Sequence, residues 1–264
     1  MSAVLALDAR RAARKFSAAA PRYEQAAQLQ ASTREQLLAY VSEQQCDARC
    51  IVDVGCGPAL AVPLLQQRYP QAWILGLDRA PGMMAVARAS ALRDGVVGDA
   101  QSLPFASACC DLLYANLSLQ WCPRPAAVLA EAARVLRPGG LLAMAVPGPA
   151  TLQELRCAWE TIDAAEHVHR FAPLTDWLRH AADAGLALAA QHATLYHPQH
   201  RSVMALMQGL RDIGAVNASA ARRQHWLGKS ALARLEAAYT PRQRDGSILA
   251  TWEIFYLLLR KPGT

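Results

Sequence analysis

The chain has 264 residues, of which 53% are hydrophobic and 18% are charged, and this composition excludes an intrinsically disordered protein. The chain has 27 lysines and arginines and 21 aspartates and glutamates, which gives a formal net charge of +6. This charge does not by itself identify nucleic acid, a membrane or an acidic protein as a partner. The longest apolar stretches, such as residues 254–259, are far shorter than a membrane span, and the N-terminus does not have the pattern of a secretion signal. We therefore expect a cytoplasmic protein.

The seven cysteines contain no CxxC pair. Their spacing is typical of neither a disulfide framework nor a zinc knuckle. We expect reduced thiols and no metal site, as suits a cytosolic protein.

Strands alternate with helices over roughly the first 150 residues. The predicted helices are residues 24–43, 59–67, 81–91 and 126–136. The predicted strands are the short apolar runs 50–54, 73–77, 95–97, 111–115 and 141–146. This alternation predicts an α/β fold with a doubly wound, mostly parallel sheet and helices on both faces.

Beyond Pro147 the pattern becomes mainly helical. The predicted helices there are residues 151–163, 173–184, 201–213 and 229–238. Two strand-like stretches, 187–195 and 251–259, are expected to extend the sheet. The chain between them is predicted to form a helical cap over the carboxyl ends of the strands, where ligands bind in such folds.

The turn after the first strand is the first place to look for a nucleotide-like ligand. Here it is Gly55-Cys56-Gly57-Pro58, whose glycines allow the main chain to approach a ligand closely. Asp78 ends the second strand, 21 positions after Gly57, and its carboxylate can accept hydrogen bonds from both ribose hydroxyls. A dinucleotide site would have GxGxxG, but position 60 is Leu.

A second acidic residue, Asp99, follows the third strand and can bind an exocyclic amine of adenine. Together with the glycine turn, Asp78 and the segment Leu136–Gly140 before the fifth strand, it resembles the pattern of class I S-adenosylmethionine-dependent methyltransferases. The cofactor residues that this resemblance implies are Asp53, Gly55, Gly57, Asp78, Asp99, Ala100 and Asn116. The chain departs from many members at Ala59, where they have glycine.

Several rarer segments narrow the resemblance. The chain is similar to the malonyl-[acyl-carrier protein] O-methyltransferases of biotin synthesis, the BioC family. The segments that carry the similarity are Phe16–Glu24, Leu29–Gln30, Asn116–Cys122, Leu155–Trp159, His167–Phe171 and Leu210–Ala215. His169 stands where the family often has asparagine.

The resemblance implies transfer of a methyl group from S-adenosylmethionine to the free carboxylate of malonyl-acyl carrier protein. Such a carboxylate is already ionised at neutral pH, so it can attack the methyl group without a catalytic base, and the protein needs only to align the two and exclude water. It also implies an N-terminal helical segment over the active site (1–45), a cofactor-binding α/β core (46–150) and the end of the sheet with the helical cap (151–264). We expect a monomer that binds neither nucleic acid nor a membrane.

Two residues are candidates for direct roles in the reaction. Arg170 is predicted to hold the malonyl carboxylate, because a guanidinium binds a carboxylate bidentately; the alternative is an arginine in a solvated loop. Tyr23 is predicted to contact the cofactor carboxylate or to line the methyl channel, and the alternative is an aromatic ring that packs the N-terminal helix onto the core.

The arginine excess suits an acidic carrier protein. The candidates for that contact are Arg201, Arg211, Arg222 and Arg223, and such attraction weakens with salt. Two other functions remain open: a methyltransferase for another small acceptor such as a quinone ring, with a cap histidine as base, or a non-catalytic module that binds the cofactor or the carrier.

Overall fold

The computed structural model describes residues 7–218 and 228–263. The helices are α1 (Ala9–Ala19), α2 (Tyr23–Ala26), α3 (Gln28–Ser42), α4 (Val62–Arg68), α5 (Pro81–Ala89), α6 (Pro125–Val135), α7 (Gln153–Glu160), α8 (Leu174–Asp183), α9 (Val203–Asp212) and α10 (Lys229–Ala238). The strands are β1 (Cys50–Val54), β2 (Trp73–Asp78), β3 (Asp94–Val97), β4 (Cys110–Asn116), β5 (Leu136–Pro147), β6 (Ala187–Tyr196), β7 (Gln199–His200), β8 (Ile248–Leu249) and β9 (Trp252–Arg260). Two short 3-10 helices span Ala20–Arg22 and Leu119–Trp121.

Seven strands form one sheet in the order β3-β2-β1-β4-β5-β9-β6. Strands β1 to β5 pair in parallel, and β9 lies antiparallel between β5 and β6. The predicted doubly wound, mostly parallel sheet is confirmed. Its strand order reverses between β1 and β4, so the crevice outside their carboxyl ends is the expected ligand site.

Alternate residues of the central strands face opposite layers of helices. On one face Tyr114 and Tyr256 pack in a core with Leu37 of α3. On the other face Leu113 and Leu257 pack with residues of α6 and α8, including Trp177. Both faces of the inner strands are buried, which is why these strands read as continuous apolar runs in the sequence.

The N-terminal region differs from the predicted elements. Helix α1 lies in the alanine- and arginine-rich segment, where the apolar pattern predicts no helix although the family resemblance implies a helical segment over residues 1–45. Its first turn is capped by Asp8 Oδ1, which accepts a hydrogen bond from the Arg11 N–H at 2.8 Å. The predicted helix 24–43 is interrupted at Ala27, whose φ of −91° and ψ of 42° are not helical. Ala27 is buried, and the interruption separates α2, which contains Tyr23, from α3.

The fifth strand is longer than the predicted 141–146. It begins at Leu136 and includes Pro138-Gly139-Gly140, with an irregular register against β4 between Cys110 and Leu112. Gly139 has a φ of +81°, which glycine adopts without strain. The predicted strands in the C-terminal third are present as β6 and β9 and complete the sheet.

Helices α7, α9 and α10 and the β7–β8 pair come from the cap region. They pack mainly on each other and on the sheet face that carries Tyr256. None of the helices in the described ranges has both the length and the apolarity that crossing a membrane requires.

Candidate active site

The glycine turn after β1 is held against two neighbouring strands. Gly55 and Gly57 have φ of +73° and +56°, a region that favours glycine. The Gly55 N–H donates to the Leu77 carbonyl of β2 at 2.6 Å. On the other side, Ser118 Oγ donates to the Val54 carbonyl at 2.7 Å. The turn is therefore fixed between the ends of β2 and β4.

Asp78 connects this turn to α5. Its Oδ2 accepts from the Gly57 N–H at 2.8 Å and its Oδ1 from the Ala80 N–H at 2.7 Å. Burial raises the pKa of Asp78, and these backbone donors oppose the rise. Each carboxylate oxygen keeps a lone pair for a further donor, as two neighbouring hydroxyls would require.

Asp99 lies beside Asp78 at the edge of the sheet. Its Oδ2 is 2.8 Å from Arg79 Nη1, and its Oδ1 accepts from the Gln101 N–H at 3.0 Å. Ala100 follows it and is buried. The predicted ribose and adenine residues therefore lie at adjacent strand ends, as their sequence order implies.

Asp53 lies one layer deeper, inside β1. Its side chain is buried, and within the described part of the chain its Oδ2 has no hydrogen-bond partner. Burial and the nearby Asp78 charge raise the pKa of Asp53 to about 7, and Arg34 opposes the rise. A buried carboxyl with an unused oxygen can accept a cation or a donor from a ligand above it.

A cavity of about 100 Å³ opens above these groups. Of the predicted cofactor residues, those that line it are Gly55, Gly57, Asp78, Asp99, Ala100 and Asn116. Asp53 lies behind this wall. Asn116 donates from Nδ2 to the Gln30 carbonyl at 2.9 Å, while its buried Oδ1 has no partner among the described residues, so this oxygen is available to a ligand donor.

A second cavity, of about 260 Å³, adjoins the first on the side of the cap. Phe16, Tyr23, Leu117 and Trp121 line both cavities. The Phe16 and Trp121 rings meet edge to face with centroids 5.2 Å apart, and Trp121 stacks on His169 at 5.8 Å. This aromatic wall is where a group held in one cavity would meet a group held in the other.

Tyr23, for which the sequence analysis predicts a role near the cofactor carboxylate or the methyl channel, lies at this junction. Burial and the neighbouring Asp78 carboxylate raise the pKa of Tyr23, so its hydroxyl stays protonated at neutral pH and acts as a hydrogen-bond donor. Burial lowers the pKa of His169 in the second cavity, and this imidazole is neutral.

Arg170 does not line either of these cavities. Its neighbours His169 and Phe171 do, and Arg170, which is exposed, lines a third pocket of about 520 Å³ that shares these two neighbours with the second cavity. His167 lines the second cavity, and its Nε2 is 2.7 Å from Asp163 Oδ1. Within the described ranges no three of the His, Cys, Asp and Glu side chains form a group that could hold a metal ion.

Two of the four arginines predicted to meet the carrier protein lie among the described residues, and both are exposed. Arg201 is exposed just before α9, and Arg211, at the end of α9, lines the second cavity. Arg222 and Arg223 lie outside the described residues.

Arg34 of α3 is a site residue that the sequence analysis missed. Its positive charge works to lower the pKa values of Asp53, Tyr23 and Tyr114. Its buried Nε has no hydrogen-bond partner in the described part of the chain. Arg34 follows Gln30, which lines the second cavity, by one helical turn. That spacing is the only sequence signal that indicates it.

Comparison with known proteins gives consistent matches. Residues 52–144 match the family model described as a methyltransferase domain. The malonyl-[acyl-carrier protein] O-methyltransferase of Laribacter hongkongensis (strain HLHK9) is 36% identical over 261 residues, which cover 94% of this chain and 88% of that protein. The protein of the same name from Methylococcus capsulatus is 36% identical over 251 residues, which cover 93% of this chain and 91% of that protein.

The solved structures that resemble the chain support the fold. BH2331 of Bacillus halodurans C-125 superposes with a TM-score of 0.61 at 18% identity, covering 88% of this chain and 99% of that one. The geranyl diphosphate C-methyltransferase of Streptomyces coelicolor A3(2), solved with S-adenosyl-L-homocysteine, superposes with a TM-score of 0.52 at 13% identity. The match covers 88% of this chain and 79% of that one.

Proposed function

The chain belongs to the malonyl-[acyl-carrier protein] O-methyltransferase family, and from this premise we propose how its two cavities divide the reaction. The protein transfers the methyl group of S-adenosylmethionine to the free carboxylate of malonyl-acyl carrier protein. The methyl ester that results serves as the primer for pimeloyl and biotin synthesis. The observation that carries the proposal is the junction at Tyr23 and Trp121, which line both cavities.

The smaller cavity holds the cofactor. Asp78 binds the ribose hydroxyls, Asp99 and Ala100 bind the adenine, and Gly55 and Gly57 allow the methionine part to lie against the main chain. The unpartnered oxygens of Asp53 and Asn116 fit a ligand that carries a protonated amine. Arg34, whose charge lies near Asp53, fits the carboxylate of the same ligand.

The larger cavity holds the malonyl group. Bound S-adenosylmethionine supplies an electrophilic methyl group, and the chain contributes alignment and a dry site around it. The substrate carboxylate is ionised at neutral pH, so no residue has to remove a proton. The Tyr23 hydroxyl, kept protonated by its raised pKa, donates a hydrogen bond that positions the carboxylate without withdrawing its charge completely.

The three-part division of the chain follows from these assignments. Residues 46–150 supply the cofactor site, residues 1–45 cover it through α1 and α2, and residues 151–264 supply the cap side of the substrate cavity. Arg170, the sequence-based candidate for the malonyl clamp, lines a neighbouring pocket and not the larger cavity, so we do not include it in the carboxylate site. We further propose a cytoplasmic monomer that binds neither nucleic acid nor a membrane, with cysteines that are all unpaired, as they are in the structure.

Mass spectrometry of malonyl-acyl carrier protein incubated with S-adenosylmethionine and the protein tests the function. We expect a gain of one methyl group on the malonyl form and none on the acetyl form, which has no free carboxylate. Methylation of a phenol or quinone precursor with no gain on malonyl-acyl carrier protein would contradict the assignment, and so would cofactor binding without any product.

A further inference from the structure

The larger cavity has to accept an anion although its wall is mainly apolar. Among the described residues that line it, Arg211 is the only lysine, arginine, aspartate or glutamate. Most of the others are aromatic or aliphatic, such as Trp159, Met207 and Leu210. A carboxylate that leaves water for such a wall needs a charged partner, because burying an unpaired ionised carboxylate is very costly.

The fold directs Arg211 toward this wall from the last turn of α9. Met207, one helical turn before it, also lines the cavity, and residues four apart share one face of a helix. Its direct neighbour Leu210 lines the cavity as well. The Gly214 N–H donates to the Arg211 carbonyl at 3.0 Å and ends the helix. Arg211 therefore lines the cavity from the end of α9, while part of its long side chain stays exposed to solvent.

The end of α9 packs closely on the N-terminal segment that carries Tyr23. Gly214 has a φ of +77°, and a β-carbon at this position would lie 2.9 Å from Cα of Phe16. The helix also packs against α2, which begins with Tyr23. A residue with a β-carbon would have to shift here, so the glycine allows the end of α9 to approach Phe16, which lines the same cavity as Arg211.

We propose that Arg211 binds the carboxylate of the malonyl group and makes the site selective for a dicarboxylic acyl chain. The inference rests on the proposed function. A guanidinium can hold one carboxylate with two parallel hydrogen bonds, which leaves lone pairs free for attack on the methyl group.

The two histidines that line this cavity, His167 and His169, do not supply the positive charge that we assign to Arg211. His167 already faces Asp163 at 2.7 Å, and burial lowers the pKa of His169, so its ring carries no charge at neutral pH. Arg170 carries a charge but does not line this cavity. It lies in a neighbouring pocket that shares His169 and Phe171 with the cavity, and its side chain is exposed, as is that of Arg211.

The test compares three variants that each replace a guanidinium by an unbranched apolar chain: Arg211→Met, Arg170→Met and Arg93→Met. Arg93 is exposed near the opposite edge of the sheet and serves as the control. Binding of malonyl- and acetyl-acyl carrier protein is measured with S-adenosylhomocysteine present, together with methylation kinetics and cofactor affinity.

We expect the wild type, R170M and R93M to bind the malonyl form at least about 10-fold more tightly than the acetyl form. R211M is expected to lose this preference and about 100-fold in kcat/KM, with cofactor affinity unchanged. A preference retained in R211M, or lost in R170M instead, overturns the inference. If R211M also loses cofactor affinity, R211K decides between the two readings. Partial recovery of the malonyl preference supports the role of Arg211, and recovery of cofactor affinity without a malonyl preference contradicts it.

The same measurements distinguish a failure of the proposed function from a failure of the Arg211 role. If the proposed function is wrong, the wild type neither methylates malonyl-acyl carrier protein nor binds it more tightly than the acetyl form. An active wild type with an equally active R211M rejects only the role of Arg211.

Discussion

Gly55 and Ser118 are so close that a β-carbon built on Gly55 would lie 2.2 Å from Cβ of Ser118. The two residues belong to the turns after β1 and β4, the strands between which the order of the sheet reverses. Ser118 Oγ also donates to the Val54 carbonyl at 2.7 Å. The wall shared by the two cavities depends on this contact, because Leu117 and Trp121 flank Ser118.

Alanine substitutions at Gly55 and Gly57 should therefore differ. Gly55→Ala combines a steric clash with a positive φ and should lower the free energy of unfolding by about 3 kcal/mol. A β-carbon on Gly57 meets no atom within 4 Å, so Gly57→Ala should cost about 1 kcal/mol from its φ alone. Chemical denaturation checks both values, and equal losses would show that the contact with Ser118 is not tight.

The ionisation of Asp53 should make stability depend on pH. Its pKa rises from 3.8 to about 7 in the folded protein, so the folded state holds the proton more tightly than the unfolded chain. The free energy of unfolding without cofactor should therefore fall as pH rises from about 4 to about 7, by up to roughly 4 kcal/mol, and then level off.

Asp53→Asn tests this dependence. The variant cannot ionise, so we expect it to gain stability relative to the wild type across that pH range and to bind S-adenosylmethionine more weakly at pH 8 or so. Asp183→Asn, at a side chain that is 67% exposed, is the control and should show neither effect. A parallel pH dependence in Asp53→Asn and the wild type would contradict the assigned cause.

Tyr23→Phe should lower kcat/KM for malonyl-acyl carrier protein by about 10- to 100-fold, the value of one hydrogen bond to a charged group. Since burial and Asp78 raise the pKa of Tyr23, the hydroxyl acts as a donor and not as a base. The pH profiles of the variant and the wild type should then have the same shape. An alkaline limb that disappears only in the variant would identify a proton transfer instead.

Ala59→Gly should change the free energy of unfolding and the cofactor affinity little. Ala59 has a φ of +64° and is 1% exposed, so glycine relieves about 1 kcal/mol of backbone strain. The variant also loses a buried methyl group and gains conformational entropy in the unfolded chain, and each of these costs about 1 kcal/mol or less. Ala59 is not among the described residues that line the cofactor cavity. We expect cofactor affinity within about twofold of the wild type by calorimetry; a larger change would mean that the turn shifts on substitution.

Local patterns in the sequence were sufficient for the sheet and for the order of the cofactor residues. Apolar runs alternating with helical segments determine a parallel sheet, since short connections and right-handed crossovers leave few other arrangements. Because parallel strands end at the same edge, Gly55, Asp78 and Asp99 had to lie together once the strands were known. The apolar pattern did not indicate helix α1, which only the family resemblance implied, because its buried residues, Ala12 and Ala19, are too small to produce a clear apolar period.

Only the tertiary structure decided which charged groups share a cavity. The sequence favoured Arg170 for the malonyl carboxylate and Arg211 for the carrier protein, yet of these two exposed residues it is Arg211 that lines the larger cavity, whereas Arg170 lines a neighbouring pocket. The pKa of Asp53 depends on its burial and on Asp78, 25 positions away in the chain. Such properties arise from distances between segments that are remote in sequence, and electrostatic energies depend on those distances and on exclusion of water, which no local pattern encodes.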